Sequence, residues 1–414
     1  MGAELLLYGY GLVCISMLVF NIVYGLSCRT EEGRVDRRVA AMEKRICSQL
    51  DLKRRESQIG IKHLNWMKKK LSRAEGLMSF DRFLEDWELG EKERDVYLSQ
   101  LQPVILELAR VYLKKENTQA AYFCHVMDRH RLYGFLKTEK IWQVMLSYLW
   151  KDSLYCRVNA LRVLCGSGRP QVVIKALMIL GGRPRTFLSG KVITEELVSY
   201  RGDTSALIRA LWKNFEGFTL MVQRSVLDYI RLTSGDWQKE MESILNDPGR
   251  DKELRFSAIR YFGRYPYPPV KETLLCFARE KDPLRWEFAA ISVGALGSYR
   301  GKRVEKALVE AMRSPNWYVR YNASSSLLEQ EVSLKKVRKS LADDPYGAEM
   351  ISYRREAWKK KEESQGELLE EKAEKQESSS QEMPEAAPPL KAAAVEGPEE
   401  AEAEEQGREM SAKA

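Results

Sequence analysis

The chain has 414 residues, 44% apolar and 30% charged, which fills a sizeable core and excludes a wholly disordered protein. The net charge of +8 divides unevenly: residues 362–414 carry 16 acidic and 5 basic side chains, a net of −11, leaving +19 on residues 1–361. Seven cysteines, an odd number without metal-like spacing, speak against a disulfide framework and suit small buried thiols in a reducing compartment.

In chain order, the first element is apolar. Leu5 to Leu26 is a run of 22 residues without a charge, and about 20 are needed to cross a bilayer core as a helix. Tyr8, Tyr10 and Tyr24 lie near its ends, where amphipathic rings prefer the interface. Only Glu4 precedes it, whereas Arg29, Arg34, Arg37, Arg38, Lys44 and Arg45 follow. A cleaved signal would need a basic start and an Ala-x-Ala-like site, and neither is present. Residues 1–28 therefore read as a single transmembrane anchor in the cell membrane, N-terminus outside and body cytoplasmic.

Residues 29–100 read as a basic juxtamembrane helical region. Val35, Val39, Met42, Ile46 and Leu50 make one apolar stripe, and Leu64, Met67 and Leu71 begin another. The clusters Lys53-Arg54-Arg55 and Lys68-Lys69-Lys70 suit anionic membrane lipid as a partner of residues 29–73, at about 1 kcal/mol per basic group. An amphipathic helix packing on the body fits the same pattern.

From 101 to 360 the chain repeats. Ala160, Ile193, Val226, Ala258, Ala289 and Ala323 are separated by 33, 33, 32, 31 and 34 residues. Four residues after each stands Leu164, Leu197, Ile230, Phe262, Val293 or Leu327, one helical turn along the same face. A second column precedes the first: Ile141 and Met145, Ile174 and Met178, Leu207 and Leu211, Val270 and Leu274, Val304 and Leu308, with Met241, Ile244 and Leu245 in the unit that slips. Each unit is thus a pair of helices that bury their stripes by stacking, an all-α solenoid. Asp247-Pro248, Asp282-Pro283, Ser314-Pro315 and Asp344-Pro345 each suit an N-cap followed by proline at the first helical position.

The second helices carry Arg-x-x-Ala-x-x-x-Leu/Phe at Arg157–Leu164, Arg255–Phe262 and Arg320–Leu327. This pattern and period resemble HEAT repeats, in the broad class that includes PBS-lyase-type HEAT repeats. The unit at 268–298 departs, with Trp286 in the arginine place. The resemblance implies that an arginine here bonds to loops of the neighbouring unit. It also implies a binding role, because such solenoids offer extended surfaces.

Candidate partner-binding residues are Arg157, Arg162, Arg224, Arg255, Arg260, Arg285, Trp286 and Arg320, which place guanidinium and aromatic groups on the second helices. His63, His125 and His130 do not suggest a metal site, and there is no Gly-rich phosphate loop or nucleophile elbow. No catalytic residue, cofactor or metal is expected, and the chain does not read as an enzyme. Residues 361–414, rich in Glu, Ala, Ser, Gln and Pro, read as a disordered acidic tail. The expectation is a membrane-tethered cytoplasmic scaffold that binds another protein through the solenoid surface. The alternative is nucleic-acid binding on a basic concave face, as in HEAT-like DNA glycosylases; the anchor makes nucleic acid the less suitable partner.

Overall fold

A computed structural model describes residues 2–53, 59–87, 90–136, 138–182 and 186–360; side chains of residues 2–7, 25–32 and 51–53 lie outside the described set. The tail at 361–414 and the cluster Lys53-Arg54-Arg55 also fall outside it. Two units are distinguished, residues 1–352 and 353–414, and the described part of the second, 353–360, is helical.

Among the described residues the first unit is entirely helical apart from turns and short connections. It opens with α1 (Gly2–Lys53), α2 (Ile61–Leu71), α3 (Ala74–Glu85) and α4 (Glu91–Gln100). Paired helices follow: α5 and α6 (Gln102–Leu113, Asn117–Arg129), α7 and α8 (Glu139–Ser147, Leu154–Gly166), α9 and α10 (Pro170–Gly182, Gly190–Val198). The series continues with α11 and α12 (Thr204–Lys213, Leu220–Thr233), then α13 and α14 (Gln238–Asn246, Lys252–Arg264). It continues with α15 and α16 (Lys271–Ala278, Trp286–Ala295), α17 and α18 (Lys302–Ala311, Trp317–Glu329), and α19 (Leu334–Ser340), and closes with helical residues 345–352. Second helices pack on second helices, as in α6 on α8 and α16 on α18, and first helices on first, as in α5 on α7 and α15 on α17. The same stacking places α2 against α5 and α3 against α6, with α1 against α3. One apolar core runs from Met42 to Ile351.

The columns explain the layers. Ala160, Ile193, Val226, Ala258, Ala289 and Ala323 are all buried, as are the six residues one turn on. Small side chains at four of these six places let adjacent helices approach closely, and Gly263 extends the effect: a Cβ there would lie 3.1 Å from Ala295 Cα. Met178 is the exception. It is exposed, and Val173, Leu177 and Leu180 form the buried face of α9. That helix is apolar on most sides, so spacing alone does not select the inward one.

Two of the four proline caps form. Asp282 accepts from Leu284 N–H at 2.9 Å, and Asp344 from Gly347 N–H at 3.2 Å. In the other two cases helices start later: Asp251 caps α14 and Asn316 caps α18. Asp247 instead closes a turn by accepting from Gly249 N–H.

Tyrosines tie neighbouring units. Tyr112 donates to Leu71 C=O (2.8 Å), Tyr148 to Ala109 C=O (2.6 Å) and Tyr200 to Gly168 C=O (2.7 Å). Gly168 has φ +67°, a conformation other residues adopt at a cost. The bonds to Leu71 and Gly168 satisfy carbonyls at or beyond a helix end, where intrahelical partners run out.

The expected transmembrane helix takes a different form. Residues 2–53 are one continuous helix, and the ends of the apolar run, residues 5–7 and 25–26, have side chains outside the described set. Among the described residues no helix is long and apolar enough to cross a membrane.

Candidate functional site

The three motif arginines bond to backbone. Arg157 is buried and donates to Lys151 C=O at 2.7 Å and to Phe187 C=O, in the next connection, at 3.4 Å. Arg320 donates to Ser314 C=O at 2.6 Å, six residues back as in Arg157, and lies 6.0 Å from the Tyr346 ring centre. Among the described residues no partner reaches the buried Nε of Arg157 or Arg320. Arg255 donates to Leu245 C=O at 3.0 Å, its guanidinium 4.9 Å from the Phe288 ring centre and 5.3 Å from that of Phe277. Burial, then the nearby Arg285 charge, pulls its pKa below the usual range. These side chains lock the connection between two helices of a unit.

The remaining arginines are engaged across or within units. Arg162 holds Glu196 by two bonds, and Arg224 pairs with Glu253 at 2.9 Å. Arg260 is half-buried beside Asp228 and Glu253; burial lowers its pKa. Arg285 pairs with Glu280 at 3.1 Å and covers the Phe288 ring at 5.3 Å. Of these candidate arginines, Arg162 and Arg224 are thus tied to carboxylates of the next unit.

Trp286 has a different setting. Half-buried at the start of α16, it stacks on Tyr318 at the start of α18, with ring centres 5.4 Å apart and planes 21° apart. Trp317 stacks on Tyr321 at 4.8 Å. Tyr318 is 57% exposed and Trp317 46%, and Leu284, next to Pro283 in the loop that enters α16, is 88% exposed. Beside this patch lies a cleft of about 730 Å³ between the loops that enter α16 and α18, with Trp286, Pro283 and Pro315 on its walls and Ala289 and Val319 on its floor. Sequence spacing did not reveal this patch, because its members are about one repeat apart and meet only when second helices stack.

A second polar cluster is buried near the N-terminal units. Asp81 accepts from Tyr122 Oη at 2.6 Å and lies 2.6 Å from His130 Nε2, while Arg94 donates to His130 Nδ1 at 3.3 Å. Burial pushes the Asp81 carboxyl up, but hydrogen bonds from His130 and Tyr122 and the charge of Arg129 outweigh it and hold it below the usual range. The cluster joins α3, α4 and α6 with its polar atoms paired to one another, so it pins helices together. Among the described residues no group of three or more His, Cys, Asp or Glu is disposed to hold a metal ion.

No family model matches the chain, and no curated protein matches it. Among solved structures it is similar to the complex of CpcE and CpcF of phycocyanin lyase from Nostoc sp. PCC7120, at 16% identity, covering 59% of this chain and 94% of that one, with a TM-score of 0.29. At that score the likeness transfers nothing beyond itself. The all-α paired-helix repeat stands on the chain's own burial and packing.

Proposed function

We propose that this chain is a membrane-tethered cytoplasmic scaffold that binds another protein through the aromatic edge of its C-terminal repeats, with no reaction of its own. The observation that carries the reading is the group of packed, part-exposed rings of Trp286, Trp317, Tyr318 and Tyr321, of which Trp286 lines the cleft. Trp, Tyr and Arg dominate interface hot spots, and a contiguous exposed apolar patch marks a surface meant to be covered. The lyase named in the similar structure does not bear on this reading, since the fit to it is too poor.

The tether is supported by residues 8–24, helical throughout, whose large apolar side chains from Tyr8 to Tyr24 are 52% to 77% exposed. Such a helix needs an apolar cover, and with Leu5–Leu7 and Gly25–Leu26 the run has the length for a bilayer. The cations after it favour an outside N-terminus and a cytoplasmic body. Nucleic-acid binding is the weaker reading, because Arg162 and Arg224 already hold Glu196 and Glu253.

Placing a photo-crosslinking residue at Leu284 or Tyr318 of the full chain in cells tests the edge. One discrete protein adduct is expected at both positions, and none at Lys191, whose side chain is 85% exposed on α10. Equal adducts at all three positions would remove the edge as the binding site.

A further inference from the structure

The basic residues near the membrane do more than coat a helix. A cavity of about 310 Å³ opens where the second half of α1 crosses α2 and α3. Helix α1 supplies Arg37 and Arg38, α2 supplies Trp66 and Lys70, and the turn into α3 supplies Arg73. Of the lining residues one is a carboxylate, Glu75, and Arg38 pairs with it at 2.8 Å. Four cations against one anion leave a net positive lining within one small space.

The local backbone holds these groups in place. Arg37 Nε donates to Gly33 C=O at 2.9 Å, which fixes the stem and leaves its two Nη groups outside that bond. The Trp66 ring carries Arg45 at 4.6 Å and Lys70 at 6.0 Å, adding a further cation close by and orienting the lysine. Gly76 lets α3 begin directly under α2: a Cβ there would lie 2.1 Å from Lys70 C=O. That turn sets Arg73 at the start of α3, whose first turn has no side-chain cap, so the positive end of the helix adds to the cations.

We propose that this cavity binds a phosphate monoester, either on a lipid headgroup or on a soluble molecule. Guanidinium groups match phosphate oxygens in pairs, and lysine adds a compact charge. A volume of 310 Å³ lies at the lower end of small-molecule pockets, about 300–1,000 Å³, and exceeds what bare phosphate fills. Arg37 stands 13 residues beyond Tyr24 on the same helix, about 20 Å at 1.5 Å per residue. A headgroup standing off the bilayer, or reached by a tilted α1, meets that distance. The proposal deepens the tether reading by naming the ligand of the basic α1–α2 face.

The test uses the full chain in neutral detergent and on vesicles. Calorimetric titration with glycerol 3-phosphate reads the soluble source. Flotation on phosphatidylcholine vesicles doped with phosphatidic acid, against phosphatidylglycerol at matched surface charge, reads the lipid source. The variant Lys70→Gln/Arg73→Gln is compared with Lys69→Gln/Lys92→Gln, which removes the same charge from residues outside the lining. The expected result is binding of glycerol 3-phosphate, or a preference for phosphatidic acid, that falls at least tenfold in the pocket variant and less than twofold in the control. Glycerol 3-phosphate binding without the lipid preference assigns a soluble ligand; the reverse assigns a headgroup. Equal losses in both variants, or no binding by the unmodified chain, overturn the pocket. Flotation on undoped phosphatidylcholine reads the tether separately: a chain that floats there but takes neither ligand keeps its tether and loses the pocket.

Discussion

Arg162 holds Glu196 across one repeat, Nε to Oε2 at 2.9 Å and Nη2 to Oε1 at 2.6 Å, with the glutamate side chain only 5% exposed. Such a pair contributes most through the cost of breaking it. Arg162→Met leaves a buried carboxylate alone, which costs about 3 kcal/mol. Glu196→Gln leaves a half-exposed arginine that water serves, and about 1 kcal/mol is expected. Chemical unfolding of both variants and the double variant measures the coupling. Equal, small losses from the two single changes would mean the pair does not clamp the repeats.

Ala323 sits in the inter-helix column with no exposure at all. Ala323→Asp places an unpaired charge against α16 and should cost several kcal/mol, lowering Tm by many degrees. Ser325→Asp, two residues along and half-buried, should cost far less. Similar melting temperatures for the two variants would contradict the assigned register.

His63 offers a pH signature. It is buried against Tyr97, its Nε2 3.0 Å from the phenol oxygen. Burial first, and the charge of Arg45 second, lower its pKa from 6.5 to about 4. The unfolded chain then binds a proton more readily than the folded chain between those values. This contribution to stability is complete above pH 6.5 and is lost as pH falls toward 4. Tm measured across that window should fall less steeply in His63→Gln than in the parent. Parallel curves would place the histidine outside the balance.

Removing residues 2–24 should move the chain from the membrane fraction to the soluble fraction without lowering Tm, because the core begins at Met42. Protease added outside intact cells should leave the body whole. Digestion of the body under those conditions would reverse the orientation.

The sequence exposed the repeat through redundancy. Six small or branched residues at intervals of 31 to 34 mark six helices, and a slip at one leaves five to hold the register. Where one helix had to speak for itself the reading failed. α9 is apolar at Val172, Val173, Ile174, Ala176 and Leu177, so nothing local showed that Met178 turns outward. Ser314-Pro315 looked like a cap, but Asn316 accepts from two amides and starts α18 later. Packing of the 29–100 region on the body was one of two readings the stripes allowed, but its register, α2 on α5 and α3 on α6, was not legible, since neither helix carries the period or the arginine motif. The resemblance placed the motif arginines on loops of the neighbouring unit; Arg157 reaches one, at Phe187 C=O, but Arg157, Arg255 and Arg320 also donate within their own units, to Lys151, Leu245 and Ser314. The aromatic edge assembles from different helices and has no signature along the chain, while the basic cavity showed only as cations of residues 29–73, without the fold that gathers them.

The central claim is that the aromatic edge holds a protein partner. Its most direct test is quantitative co-purification of the full chain from membranes, comparing the parent with Trp317→Ser/Tyr318→Ser. Both side chains are exposed, so the change should leave Tm within a few degrees. Loss of two aromatic anchors should cost about 3 kcal/mol of binding, more than a hundredfold in recovery at limiting partner. Recovery of the same partner in the same amount by the folded variant would contradict the assignment.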